Sequence, residues 1–421
     1  MKSRHLLIAC FLFFQLGLWA QDTLTVMQYN LLEYGNFNSG WANCDESTNN
    51  TQTKDESILT ILNHVKPDIL TVNEFGASPM ILDNFLRHNL NINGINYWKS
   101  DNIVNYANSN IINHIFYNSN KMELKRHAVI RTSVRDIDAY ELYFKTASLV
   151  AGDTIKLVCM VAHLKAGEGS TNEGTRRAMI QNAMDFIDEN YPNDNVLIMG
   201  DFNMYSSSES GYRLLTQNYS NHDVLFVDPL SFVDGVGYWH NKSQFAPFHT
   251  QATDAWSDNP CRSGGGLDDR FDMILMSDEI YMGFNYLRYI NGSYKAVGND
   301  GNHFNRSINE GYNSAVPAEV ADALFECSDH LPVTMKMLVY GKLGVDENEI
   351  ADFRVYPNPT DDILHVETTY HDLSTTTYRI SNIMGQTLMT GQMPPTLDVS
   401  ELPSGIYFIH IGGTTQKILK L

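Results

Sequence analysis

Cysteine is scarce in this chain, five residues in 421, so the fold cannot be a disulfide-built miniature and must rest on an apolar core. Basic residues are short as well: 29 Lys and Arg stand against 49 Asp and Glu, a formal net charge of −20. A surface field of that sign repels polyanions and argues against salt-driven binding of nucleic acid or anionic membrane by the molecule as a whole. A bound divalent cation would reverse the field locally. Long apolar runs are missing after the first twenty residues, and no internal repeat is found. What is present is an ordinary globular composition, 43% hydrophobic, enough for one large core and a second small one.

Residues 1–20, MKSRHLLIACFLFFQLGLWA, place Lys2 and Arg4 before a short apolar run that ends at Ala20, the pattern of a cleaved export signal. Its removal takes Cys10 and leaves Cys44, Cys159, Cys261 and Cys327, for which three pairings exist in an oxidising compartment. Cys159 lies inside the apolar run KLVCMVAHL and is expected as a buried thiol. Cys261 and Cys327 each precede a candidate site motif and form the favoured pair.

The pattern LTVMQYN reads as a strand, and DESILTILNHVKPDILTVNEF as helix, break at Pro67 and strand. Ser78 followed by Pro79 marks a second helix start. NIINHIFYN, ELYFKTASLV, IKLVCMVAHL and NVLIMGDFN are further strands, and GTRRAMIQNAMDFIDEN is a helix. Near-continuous apolar strands imply sheets covered on both faces. Residues 204–265 and 281–326, poor in apolar runs, are expected as long loops on that core, where substrate preference would sit. Residues 341–352 read as an acidic linker, and 353–421 as short strands with turns between them, a small β-sandwich.

Apolar runs stop repeatedly at an acid, amide or imidazole: Asn30 in QYNLLEYG, Glu74 in LTVNEF, His163 in MVAHLKAG, Asp201 with Asn203 in MGDFN, and Asp329 with His330 in CSDHLPV. Asp272 in DDRFDMILMS sits at a strand start. Singly each has an ordinary explanation, a turn residue or a surface acid. Together, polar residues at one edge of packed sheets can converge on a single pocket, and carboxylate and amide oxygens suit a hard divalent cation such as Mg²⁺.

In order and context the six motifs resemble those of the endonuclease/exonuclease/phosphatase superfamily over residues 22–340. The resemblance implies an α/β fold, a two-sheet sandwich of the deoxyribonuclease-I-like type, and a metal-dependent hydrolase acting on phosphoric esters. It implies Glu74 as principal ligand of Mg²⁺ (or Mn²⁺, with Ca²⁺ an alternative), with Asn30 and Asp329 as direct or water-mediated ligands. Asp272 would orient the His330 imidazole, Asp201 and Asn203 would position water and phosphate, and His163 would bond a phosphate oxygen or assist the leaving group. Either Asp201 or His330 takes the proton. The implied substrate is a phosphodiester, an extracellular DNA or RNA first and a sphingomyelinase-type phospholipid second, and no stable protein partner is implied. A surface-displayed binding module that has lost activity is the reading from another class.

Two positions depart from the nuclease pattern. Asn118 follows IFY where deoxyribonuclease-like members carry an arginine, and Asp101 in YWKSDN matches only loosely the acid that orients the first histidine. His127, His240 and His249 fall outside the pattern and are expected in surface or packing roles. Arg176 and Arg177 are expected on a solvated helix face, and the aromatic stretch 232–256 is expected to pack on its own domain more than on lipid. The tail, with VYPNPTDDILHV, YRISNIMGQTLMTGQ and LDVSELPSGIYFIHI in order, resembles the type IX (Por) sorting domain. That implies passage across both membranes, recognition by the secretion machinery, and a secreted or surface-attached product.

Overall fold

Strand residues with no exposed side begin the molecule. Leu24–Tyr34 are almost all buried, as are Ile69–Gly76, Lys156–His163, Val196–Asp201 and Asp272–Ser277. Such strands must be covered on both faces. The computed structural model describes residues 22–36, 44–145, 154–217, 222, 224–230, 237–339, 353–368, 377–383, 385–394, 396–411 and 414–421. The expected export signal and the acidic linker lie outside these residues. The chain divides into two compact units, Met1–Lys342 and Leu343–Leu421.

In chain order the first unit contains β1 (Asp22–Tyr34), α1 (Thr51–Val65), β2 (Ile69–Gly76), α2 (Pro79–Phe85), β3 (Trp98–Ser100), β4 (Ile111–Asn118), β5 (Met122–Ile130), β6 (Ile137–Phe144) and β7 (Lys156–His163). It continues with α3 (Ser170–Asn190), β8 (Val196–Asp201), α4 (Ser210–Thr216), β9 (Phe226–Val227), β10 (Asp272–Ser277), α5 (Asp278–Met282), β11 (Leu287–Tyr289), β12 (Lys295–Ala296), α6 (Ala318–Cys327) and β13 (Val333–Val339). One sheet runs β11-β13-β1-β2-β4-β3, with β12 beside β13, and the other β5-β6-β7-β8-β10-β9. This is the two-sheet α/β sandwich expected.

Alternation sorts the side chains. Cys159, Val161, Leu197 and Met199 meet Leu24, Val26, Ile69 and Met335 between the sheets. Val158, Met160, Ile198 and Met273 face outward under Met179, Ile180, Ala183 and Ile187 of α3. Tyr29, Val72 and Phe75 face Ile58 and Ile61 of α1 and Val320 and Leu324 of α6. Cys159 is thus a buried, unbridged thiol of the inner core.

Several expectations are corrected here. The disulfide joins Cys44 to Cys261, not Cys261 to Cys327. Cys327 closes the apolar stripe of α6 that holds Val320 and Leu324, so its thiol points inward. That helix itself lies in a region read as loop, where Pro317 and Glu319 mark its start. Arg176 lies four residues before Ile180 on the inner face of α3 and is 1% exposed. Its guanidinium donates from Nε to Glu209 at 2.8 Å and from Nη1 to the carbonyls of Lys165 and Gly167, both at 2.9 Å. In stretch 232–256 Trp239 is buried and donates to the Met204 carbonyl at 2.8 Å, so that part packs on its own unit.

The second unit holds β14 (Phe353–Tyr356), β15 (Ile363–Thr368) and β18 (Thr396–Asp398) in one sheet. A second sheet takes β17 (Thr387–Gln392), β16 (Thr377–Asn382), β19 (Gly405–Ile411) and β20 (Thr414–Lys420). Leu364, Ile380, Leu397, Ile409 and Ile418 form its core. It is the small all-β domain expected after the sandwich.

One glycine decides how the second sheet can close. Gly200 has φ +146°, and a Cβ there would stand 1.7 Å from the Ala162 carbonyl oxygen of β7. Gly200→Ala is expected to lower stability by more than ~2 kcal/mol, since backbone must move to admit the methyl. A urea midpoint equal to that of the parent would refute this.

Candidate active site

Strand register builds one row of the site. β7 and β8 are parallel with His163 opposite Asp201, and β8 and β10 are antiparallel with Asp201 opposite Asp272. In the other sheet, β13 runs antiparallel to β1 and β2 runs parallel to it. Asp329 and His330, just before β13, therefore lie beside the segment of β1 that carries Asn30, and Glu74 lies one residue past the Asn30–Asn73 pair. Asn30 and Glu74 are not at strand ends as expected. Each sits where the regular pairing breaks inside its strand, with register shifts after Asn30 and between Val72 and Phe75. Glu74 itself takes φ +54°, and Leu32 and Glu33 take +46° and +55°. Bulges of this kind re-aim side chains.

All of Asn30, Glu74, His163, Asp201, Asp272, Asp329 and His330 come together. Asn30 Nδ2 donates to Glu74 Oε1 at 3.0 Å and to Asp201 Oδ2 at 3.1 Å, and lies 3.5 Å from His330 Nε2. Its Oδ1 accepts from Leu32 N at 2.9 Å. His163 Nε2 is 3.4 Å from Asp201 Oδ2 and 3.8 Å from Glu74 Oε1. Asp272 Oδ2 holds His330 Nδ1 at 2.7 Å, and His330 Nε2 is 3.8 Å from Asp201 Oδ2. Asp329 Oδ2 accepts from Ser263 N at 2.9 Å and from Gln251 Nε2 at 3.3 Å, which joins it to the same cluster. Asn203, with φ +51°, donates its backbone N–H to Asp201 Oδ1 at 3.0 Å.

The electrostatics follow from crowding acids in a buried hollow. Burial, then Asp329 and Glu33, push the Glu74 carboxyl up to about 7. Burial raises Asp201 to about 6, with Asp272 adding and His330 and Arg135 opposing. Burial, Arg135 and His330 hold His163 well below the usual imidazole value, so its ring is neutral. Burial would lower His330 too, but Asp272, Asp201 and Asp329 outweigh it and raise it well above the usual value.

A divalent cation fits this donor set. Glu74 and Asp201 stand close to His163, and their ligating atoms lie within 4.8 Å of one another. Asp329 Oδ1 is buried with no hydrogen-bond partner among the described residues. A cation would relieve the repulsion that raises Glu74.

Three side chains of this site were not foreseen. Arg135 precedes β6, whose antiparallel pairing with β7 sets that position beside the end of β7. Its Nε donates to the His163 carbonyl at 3.2 Å and its Nη2 to the Leu164 carbonyl at 2.7 Å, and its charge acts on Glu74, Asp201 and Glu33. Gln251 lies with its side-chain amide 2.7 Å from His330 Nε2. Asn73 Oδ1 accepts the Asp201 N–H at 2.8 Å and the Gln28 amide at 2.6 Å, and Asn73 Nδ2 donates to Asn113 at 2.7 Å. The amides in LTVNEF and NIINHIF, polar residues inside apolar strands, were the available signal for Asn73 and Asn113. Nothing in the sequence marks Gln251.

Asp101 is corrected. It does not reach His163, whose Nδ1 has no partner among the described residues. It holds His127 Nδ1 at 2.9 Å, and Asp138 holds the other nitrogen at 2.9 Å. Burial lowers His127, but Asp138 and Asp101 outweigh it and raise its pKa. His249 is buried and bonded to the carbonyls of Trp239 and Leu267.

A histidine raised on folding contributes stability that is complete below its unfolded value, about 6.5, and is lost as pH rises through the folded value. The gap in urea midpoint between the parent and His127→Gln should therefore be largest near pH 6 and close on the alkaline side. A gap constant with pH would rule out Asp101 and Asp138 as its cause.

Among solved structures, the chain is similar to D. rerio TDP2 in complex with a single strand DNA product, at 13% identity and TM-score 0.46 over 75% of this chain and 98% of that one. It is similar to an endonuclease/exonuclease/phosphatase family protein from Bacteroides thetaiotaomicron, at 15% identity and TM-score 0.45 over 76% and 96% of the two chains. It is also similar to the human Nocturnin catalytic domain with bound sulfate, at 16% identity and TM-score 0.43 over 75% and 97%. No curated protein matches the chain. The chemistry is therefore read from the side chains themselves. Residues 354–421 match the family described as Secretion system C-terminal sorting domain, so the chain carries a type IX export address and is a secreted or cell-surface protein.

Proposed function

We propose that the sandwich unit is a divalent-cation-dependent phosphodiesterase, most simply an extracellular nuclease acting on DNA or RNA. The observation that carries this is the joining of both sheets at one amide: Asn30 Nδ2 binds Glu74 and Asp201 while His330, held by Asp272, faces them. Glu74, Asn30 and Asp329 would hold the cation, Mg²⁺ or Mn²⁺, which supplies charge neutralisation at the phosphate.

The remaining residues do the proton work. Asp201, at about 6, is ionised at neutral pH and still basic enough to take a proton from water. Its Oδ1 is fixed by the Asn203 N–H, which aims the other oxygen into the hollow. The Asp272 carboxylate keeps the His330 proton on Nδ1, so the raised Nε2 can carry a second proton and donate it to a phosphate or leaving oxygen. Neutral His163 offers a hydrogen bond without adding charge, and Arg135 provides a fixed positive charge for a non-bridging oxygen. Asn118 does not fill that role: it accepts the Asn120 N–H and donates to Asp68.

A phospholipid phosphodiesterase is the second reading, favoured by Trp256, which stands 86% exposed at the end of the aromatic stretch. A panel of duplex DNA, RNA, sphingomyelin and inositol phosphates decides the substrate. Inertness toward all four in a folded protein would leave only a binding module. On the accepted substrate, His330→Ala and Asp201→Ala should each lose at least ~100-fold in turnover with folding intact, and near-parental turnover in either would break its role. Mg²⁺ or Mn²⁺ should raise the melting temperature of the parent, because a ligand of the native state alone stabilises it. Glu74→Gln should abolish that rise, and an unchanged titration would remove Glu74 from the ligands.

A further inference from the structure

A second convergence of ligating groups lies apart from the residues given roles above. His240 Nδ1 is 2.7 Å from Asp269 Oδ1, and His240 Nε2 is 3.9 Å from Glu168 Oε1. Ligating atoms of His240, Asp268 and Asp269 fall within 4.8 Å of one another. Folding collects them from three places: Glu168 from the loop after β7, His240 from the stretch between β9 and β10, and the two aspartates from the turn that leads into β10. An imidazole among the carboxylates separates this group from an ordinary run of surface acids.

The backbone holds the cluster in place. Asn241 N donates to the Asp268 carbonyl at 2.8 Å, and Asp269 exchanges hydrogen bonds with Gln251 at 2.9 and 3.1 Å. Tyr205 and Tyr238 set their rings edge-on to His240, with centroids 5.5 and 5.6 Å away. Asp269 is only 8% exposed. Burial pushes it up to about 7, with Asp268 and Glu168 adding to the rise and His240 opposing it. Three carboxylates thus face one imidazole.

We infer that His240, Asp268 and Asp269, with Glu168 at the rim, form a second divalent-cation site separate from the one around Glu74. Imidazole nitrogen combined with carboxylate oxygen suits Zn²⁺ or Mn²⁺ better than Mg²⁺ or Ca²⁺. The two clusters are neighbours, since the half-buried Tyr205 phenol is within electrostatic reach of Asp269, Glu168 and Asp201 alike. They share no ligand. On the phosphodiesterase reading proposed above, a cation here would place positive charge beside the Glu74 site.

The test is a Mn²⁺ titration of the metal-free full chain, counting bound ions by the loss of the free Mn²⁺ electron paramagnetic resonance signal. The parent should bind two ions, and His240→Ala and Asp268→Asn should each weaken one of them at least ~10-fold, the scale seen even for partners outside the ligand set. Glu74→Gln should remove the other ion and leave this one. Circular dichroism checks folding, and Asp268→Asn, on a half-buried side chain, is the milder of the two variants. An unaltered titration in both His240→Ala and Asp268→Asn would overturn the site. So would a parent whose every bound ion disappears in Glu74→Gln, a result that leaves the central site standing. An ion sensitive to His240 and Asp268 but none sensitive to Glu74 would support this site and count against the central one.

Discussion

One amide carries the strain of the whole cleft. Asn30 donates to Glu74 of its own sheet and to Asp201 of the facing sheet; Asp201 is buried and Glu74 mostly so, with further acids beside them. Bringing ionised carboxylates together in a low-dielectric hollow costs several kcal/mol per ion unless positive charge or donors offset it. Here the offset is divided among the Asn30 amide, the His330 ring and the Arg135 guanidinium. The unrelieved remainder shows as the raised Glu74 and Asp201 and as the Asp329 Oδ1 that has no hydrogen-bond partner among the described residues. That shortage of positive charge among its own groups is what the proposed cation would make good.

Backbone strain is stored at the same place as well. Leu32, Glu33, Glu74 and Asn203 all take positive φ without being glycine, at a cost of roughly 1–3 kcal/mol each. The rigid sheets on either side enforce these angles, because the register is regular up to Asn30 and Val72 and again from Phe75 onward. Without the bulge Glu74 would follow the strand alternation. With it, the carboxylate accepts the Glu33 N–H at 3.1 Å and turns toward Asp201. Stability given up locally is returned by the three apolar layers around the sheets.

The sequence made the acids and imidazoles of the cleft legible because their strands are apolar on both faces. In such a strand a polar side chain has nowhere to hide, so Asp201 after NVLIMG or His163 after KLVCMVA stands out. Arg135 and Gln251 escaped notice because they sit in polar surroundings and are recruited by pairings between distant segments, β6 with β7 and Gln251 with Asp269. Charge alone places Arg176 wrongly. Its position on α3, in line with Ile180 and Ile187, outweighs that charge once Glu209 and two carbonyls satisfy it. The disulfide failed for a related reason: proximity to site motifs says nothing about where a thiol points, and the inward stripe of α6 commits Cys327 to the core.

Charge at long range is negative in this protein, and at contact two positive groups, Arg135 and His330, stand among the carboxylates of the cleft. At physiological ionic strength the field of the −20 surface is screened beyond about 8 Å, so it discourages approach without reaching through the cleft. Inside, Arg135 and His330 present positive charge to whatever enters, and the proposed cation would add to it. A polyanionic substrate would then be gained by contact rather than by steering, and rising salt would weaken the repulsion on approach while leaving the buried contacts little changed. That balance suits a protein whose tail sends it out of the cell, where ionic strength is set by the surroundings.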